Sequence, residues 1–172
     1  MPVYALGDLV PNVHDTAFVH PDAVLIGDVT VGAESSIWPS AVLRADEAPI
    51  IIGARTSIQD GSVIHSAPDL PTEIAADCLV GHLAHLEGCR VETRGFIGSG
   101  AMVLHRAHIG TGALVAANAV VLADVRVPAG ALAAGVPATI REGAANRALV
   151  EHATEFYVRE TSRYRRLLRR LD

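Results

Sequence analysis

Aliphatic residues recur at every sixth position along most of this chain. The series runs Val19, Leu25, Val31, Ile37, Leu43 and resumes at Ile52, Ile58, Ile64 and again at Ile74, Val80, Leu86. It restarts at Val91 and runs unbroken through Ile97, Val103, Ile109, Val115, Val121 and Val127. Gly follows the aliphatic residue at Gly32, Gly53, Gly81, Gly98 and Gly110. A six-residue interval with small residues between apolar ones predicts a solenoid. Each hexapeptide gives one short strand and one corner, and three of them close a triangular coil. The expected fold class is therefore an all-β solenoid, a parallel β-helix of about seven coils.

The series breaks after Leu43, Ile64 and Leu86, each time after a third hexapeptide. Three faces can thus be indexed. Face A carries Val31, Ile52, Ile74, Val91, Ile109 and Val127. Face B carries Ile37, Ile58, Val80, Ile97 and Val115, and face C carries Leu43, Ile64, Leu86, Val103 and Val121. The added residues, Asp46–Pro49 and Ser66–Thr72, fall at one corner, and insertions confined to one corner of a solenoid mark its functional edge.

The pattern changes after Val127–Ala133, where Gly135-Val136-Pro137-Ala138 ends the strand signal. Leu149, Ala153, Phe156, Tyr157, Tyr164, Leu167, Leu168 and Leu171 lie close to a 3–4 spacing, which predicts an amphipathic helix over roughly 144–171. The organisation is then a repeat domain over 1–140 and a helix within 141–172 that folds back along the solenoid. A solenoid alone leaves flat faces uncovered, so oligomerisation is expected.

Composition narrows the class. Of 172 residues, 50% are hydrophobic but only 4% aromatic, which suits a core of stacked Val, Ile, Leu and Ala. No apolar run is long enough to span a bilayer, and the opening residues do not read as a signal peptide, so a cytoplasmic protein is expected. Cys78 occupies a small inward position and Cys89 sits by a corner; both read as buried thiols. The chain contains arginine and no lysine, with Arg concentrated after residue 140. That arginine belongs to the solvated side of the helix, and the net charge of −5 argues against nucleic acid as a partner.

Polar residues also stack. Directly after the face C aliphatic come Arg44, His65 and Glu87 in successive coils, about 5 Å apart on strand spacing. On face B, two places after the aliphatic, the column reads Pro39, Asp60, His82, Ser99. His65 and His82 thus occupy adjacent levels on different faces. One subunit cannot easily converge them, whereas face B of a neighbour packed on face C would. Imidazole and carboxylate groups are what a divalent ion such as zinc accepts. The third donor is either Glu87, which shares the register of His65, or His85, which also points outward.

The segments Leu43-Arg44-Ala45-Asp46, Ile50-Ile51-Ile52-Gly53 and Ser57-Ile58-Gln59-Asp60-Gly61 through His65, followed by Gly81-His82 through His85-Leu86-Glu87-Gly88-Cys89, resemble the γ-class carbonic anhydrase family, and the resemblance covers nearly the whole chain. It implies a left-handed helix and a homotrimer. It also implies zinc, or iron or cobalt, at each subunit interface, and reversible hydration of CO2 to bicarbonate. His65 and a neighbour's His82 match two of the family's three histidines. The third falls five residues after the second, where this chain has Glu87, with His85 as the substitute ligand. Gln59 matches the residue that orients the attacking water, and Arg44, Asp46 and Asp60 match an intersubunit charged network. The family's C-terminal helix lends a tyrosine, for which Tyr157 is the candidate and Tyr164 the reserve. Glu47, Asp69 and Glu73 stand in or beside the edge loops as candidate proton carriers. Two other functions suit the same repeats: a coenzyme-A-dependent acyltransferase using His85 or His105 as base, and a metal-free structural or assembly homologue.

Overall fold

The computed structural model describes residues 2–172, with Arg147 described in its backbone alone. The chain winds as a left-handed parallel β-helix. Most strands are two or three residues long; Val24–Val31 and Val42–Ile52 are the long ones, running round the corner between faces C and A. Those two faces therefore form one continuous twelve-stranded sheet, and face B forms a separate sheet of eight. The indexing holds residue by residue. Leu25, Leu43, Ile64, Leu86, Val103 and Val121 pair in register on face C. Val31, Ile52, Ile74, Val91, Ile109 and Val127 do so on face A, and Val19, Ile37, Ile58, Val80, Ile97 and Val115 on face B.

Alternation along each short strand explains the core. The aliphatic residue points in and is fully buried, as at Ile37, Ile58, Ile64 and Leu86, while its neighbours point out. Corner residues are small, and where they are hydroxylic their buried oxygens bond to the coil above. Ser35 Oγ donates to the Gly53 carbonyl at 2.8 Å, Ser62 Oγ to Gly81 at 2.8 Å and Thr56 Oγ1 to Ala75 at 2.7 Å. Glycine after the aliphatic residue answers to close stacking: a Cβ at Gly98 would stand 2.4 Å from the backbone nitrogen of Ala117. Both cysteines are free and buried.

The last coil closes on itself. Gly135 and Ala138 bond to the backbone of Val120, and Thr139–Arg141 runs antiparallel to Leu132–Ala134. The helix spans Arg147–Leu167, capped by the Asn146 side chain on the Leu149 amide, and is thus shorter at both ends than the expected 144–171. It lies on the outer side of face B.

The buried stripe of the helix departs from the apolar one read in the sequence. Val150, Thr154 and Thr161 are buried, with Tyr157 and Tyr164 partly so, whereas Leu149, Phe156, Leu167, Leu168 and Leu171 are exposed. The two threonines tolerate burial because their hydroxyls bond within the helix, Thr154 to the Val150 carbonyl and Thr161 to that of Tyr157. Thr154 also donates to the Asp77 carbonyl of the solenoid at 3.0 Å. Tyr164 packs against Trp38 and Phe18, with ring centroids 4.8 and 5.8 Å away, and Tyr157 against Trp38 at 5.8 Å. Trp38 is fixed in turn by its indole N–H, which reaches Ser57 Oγ at 2.9 Å and Ser36 Oγ at 3.0 Å. Arg159, Arg163, Arg165, Arg166, Arg169 and Arg170 are exposed, as expected, with Arg165 donating to the Asp15 carbonyl. Among the described residues, no helix is long and apolar enough to cross a membrane.

Candidate functional site

The sequence-predicted residues gather into two groups on two faces. The first group is on face C beside the edge loops. Arg44, His65 and Glu87 sit in register on three successive coils. His65 lies between carboxylates: its Nδ1 is 2.8 Å from Glu87 Oε1 and its Nε2 3.1 Å from Asp46 Oδ1. Asp46 also bonds to the Arg44 guanidinium. His85, two residues back along the strand, brings Nε2 to 3.3 Å from Glu87 Oε2.

Electrostatics follow from these contacts. Burial works to raise the Glu87 carboxyl, but contacts with His65, His105 and His85 outweigh it and hold the group below the ordinary carboxylate value. Asp46 behaves alike: burial opposes, and hydrogen bonds from Arg44 and His65 prevail. Both carboxylates stay ionised, which is the form that binds cations.

The second edge loop is pinned to this group. Thr72, fully buried, donates its hydroxyl to the His65 carbonyl and accepts the Gly88 amide at 2.8 Å. The loop thereby ties the coil of His65 to that of Glu87. Of the acids named as proton carriers, Glu73 faces outward on face A and is ion-paired with Arg90 at 3.0 Å, away from His65. Glu47 is exposed within the long strand Val42–Ile52, and Asp69 is exposed in the loop at 66–72.

The second group is on face B, under the helix. His82 Nδ1 is 2.9 Å from Asp60 Oδ2, one coil apart, and both side chains are half exposed. Gln59 is buried beside them. Tyr157 reaches this corner from the helix: burial and then the Asp60 charge push its phenol up, while contact with Gln59 pulls it down. Tyr164 lies further along, in the aromatic cluster with Trp38 and Phe18.

Among the described residues of one subunit, no three His, Cys, Asp or Glu side chains are placed to hold an ion together. The donor chemistry nevertheless fits a divalent cation. Imidazole nitrogens and an ionised carboxylate converge at Glu87, and another imidazole is offered on the adjoining face. One further donor was not singled out for this site by the sequence. His105 Nε2 stands 3.5 Å from Glu87 Oε1 and is buried without a hydrogen-bond partner. The only sequence signal was its register: Leu86 pairs with Val103, so His105 comes level with Gly88, whose missing side chain leaves room for the ring.

No protein-family profile matches the chain. It is 42% identical over 138 residues to the carnitine operon protein CaiE of Escherichia coli, covering 80% of this chain and 70% of that protein. It is 41% identical over 137 residues to the mitochondrial γ carbonic anhydrase 1 of Arabidopsis thaliana, covering 76% of this chain and 50% of that protein, so it spans half the length of that relative. Among solved structures, a Bacillus cereus protein described as a candidate acetyltransferase superposes with a TM-score of 0.93 at 34% identity over 96% of this chain and 98% of that one. A hexapeptide transferase family protein of Anaplasma phagocytophilum superposes with a TM-score of 0.90 at 31% identity over 95% and 98%.

Proposed function

Because this chain belongs to the γ-carbonic anhydrase-like family of hexapeptide-repeat β-helix proteins, we propose that it is a homotrimeric metalloprotein of the cytoplasm that hydrates CO2 reversibly to bicarbonate between subunits. The observation that carries this reading is the split of the imidazoles. His65 with Glu87 occupies face C, and His82 with Asp60 occupies face B at the adjacent level. Packing the half-exposed His82 margin of face B, beside the helix, on face C of the next subunit would bring His82 to His65 and Glu87. Exposed Val63, Met102 and Leu122 on face C, and Leu83 at its corner, offer the apolar area such packing needs.

In this site a divalent ion, zinc or else iron or cobalt, contributes Lewis acidity that makes water nucleophilic near neutral pH. The chain's own residues do the rest. Glu87 places a carboxylate where the family's third histidine belongs, adding negative charge to the ligand set. Gln59, buried and touching Tyr157, orients a small oxygen-bearing molecule through its amide. Arg44 holds Asp46, and Asp46 holds the His65 ring at Nε2. Asp60 fixes the His82 ring through Nδ1, leaving Nε2 as the nitrogen that ligates.

Protein purified without chelators, assayed for metal by elemental analysis, for mass by light scattering and for CO2 hydration by stopped flow, tests the reading. A trimer with stoichiometric metal and measurable hydration is expected. Glu87→His should raise hydration if ligand charge limits the native protein. A stable trimer without metal would favour an assembly role instead. A second reading, a coenzyme-A-dependent acyltransferase with His85 or His105 as base, is favoured by the likeness to the candidate acetyltransferase of Bacillus cereus and the hexapeptide transferase family protein of Anaplasma phagocytophilum. Protection of the fold by acetyl-coenzyme A, measured as a rise in melting temperature, would support it.

A further inference from the structure

Glu87 is one carboxylate facing three imidazoles. His65 takes Oε1 at 2.8 Å and His85 takes Oε2 at 3.3 Å, so both oxygens are engaged. His105 comes third. Its Nε2 is buried, 3.5 Å from Oε1, and among the described residues it is the one buried side-chain nitrogen or oxygen without a hydrogen-bond partner. Buried polar atoms are almost always paired, so an orphan in a cluster of this kind calls for an explanation.

The His105 side chain as a whole is 41% exposed, and its ring is packed on one side. It lies over Gly88, close enough that a Cβ on that glycine would stand 3.2 Å from His105 Cδ2, and 3.0 Å from Cβ of Leu70 in the edge loop. Glycine at 88 thus admits the imidazole, and the loop closes the space on the other side. Two donors sharing one tetrahedral ion through bonds of about 2.1 Å stand about 3.4 Å apart. The separation of His105 Nε2 from Glu87 Oε1 is that of co-ligands. The His65–Glu87 separation is that of a hydrogen bond, and the other nitrogen of His65 is already on Asp46. Of the three imidazoles, only His105 has an Nε2 without a hydrogen-bond partner.

We propose that His105 is a ligand of the divalent ion, standing beside Glu87 and replacing the imidazole that position 87 lacks. This rests on the proposed intersubunit metal site, with His82 of a neighbouring subunit closing the set. A neutral imidazole next to the carboxylate also restores part of the ligand field a histidine at 87 would give.

The test is a cobalt titration of the metal-stripped full-length protein, read by visible absorption and by elemental analysis, with light scattering on every sample. Wild type is expected to take up cobalt and develop absorption bands. His105→Ala and His105→Gln are expected to shift those bands and weaken cobalt binding by more than the roughly 10–100-fold that loss of a supporting partner causes. His85→Ala, which removes only a supporting contact to Glu87, should weaken cobalt binding by no more than about 10–100-fold and leave the bands in place. Gln keeps a polar side chain of similar reach, so it guards against a merely unfolded Ala variant. If both His105 variants bind cobalt with wild-type affinity and spectrum, His105 is no ligand and the metal reading survives. If wild type binds no cobalt, both fall together.

Discussion

Thr72 tests how far the edge loop holds the site together. Its side chain has no exposure, its hydroxyl donates to the His65 carbonyl, and its oxygen accepts the Gly88 amide at 2.8 Å. Thr72→Val keeps the shape and removes both bonds. The Gly88 amide then has only the His65 carbonyl, at 3.4 Å, which is a poor bond. Losing one ordinary hydrogen bond costs about 1 kcal/mol, and leaving a buried N–H badly satisfied about 1 kcal/mol more, for about 2 kcal/mol in all. In a chain of this size that corresponds to a fall in Tm of about 4–8 °C. Circular dichroism melts at one fixed subunit concentration measure it, since assembly itself contributes to stability. Because the loop ties the coil of His65 to that of Glu87, cobalt binding should weaken in parallel. A Tm within about one degree of wild type, where such a loss should be several degrees, would refute the role given to Thr72.

Gly98→Ala should be close to unfoldable, because the new Cβ would meet backbone atoms of Ala116 and Ala117 at 2.7 and 2.4 Å, and backbone cannot swing aside. Gly112→Ala, with open space around it but φ of +63°, should cost only about 1–2 kcal/mol; soluble yield and melting temperature compare the two. Glu92 is held below the ordinary carboxylate value by His108 and Arg90, with burial opposing. A depressed folded-state pKa gives stability that is fully present above the unfolded value of about 4.5 and lost as pH falls through the lower folded one. Glu92→Gln should therefore melt below wild type at pH 7, with the gap closing on acidification; a gap independent of pH would contradict the assignment. Burial pushes the Cys78 and Cys89 thiols up to about 12, so both should resist a thiol reagent at pH 8 until the protein is denatured.

Much of this molecule could be read from the chain because the six-residue interval is rigidly tied to geometry. Ile58 and Val80 could be assigned to the same face before any coordinates, and the stacking of Glu87 on His65 followed from counting. The helix resisted the same treatment. A hydrophobicity pattern follows carbon, whereas Thr154 and Thr161 are buried through the satisfaction of their hydroxyls, so the true stripe is displaced from the leucines. The sequence marks His105 only as a candidate acyltransferase base, and its place beside Glu87 escapes notice for another reason. Its neighbours in the sequence, Leu104 and Arg106, say nothing about it, and its placement depends on what is missing one coil earlier, at Gly88. Hexapeptide counting gives the level of a side chain but not which way a corner residue leans.

The crossing of residues 135–141 over the last coil has a consequence for polymer growth. A parallel solenoid is in principle an endless template: its final rung presents the same unpaired amides and carbonyls that its own next rung would have met. Here the backbone of Val120 is already bonded to Gly135 and Ala138, and the strand over Leu132–Ala134 runs the opposite way. A second molecule arriving end-on finds reversed polarity on one face and occupied groups on another. Fibre elongation, the natural hazard of an open β-ladder, is thus stopped by a change of direction in seven residues.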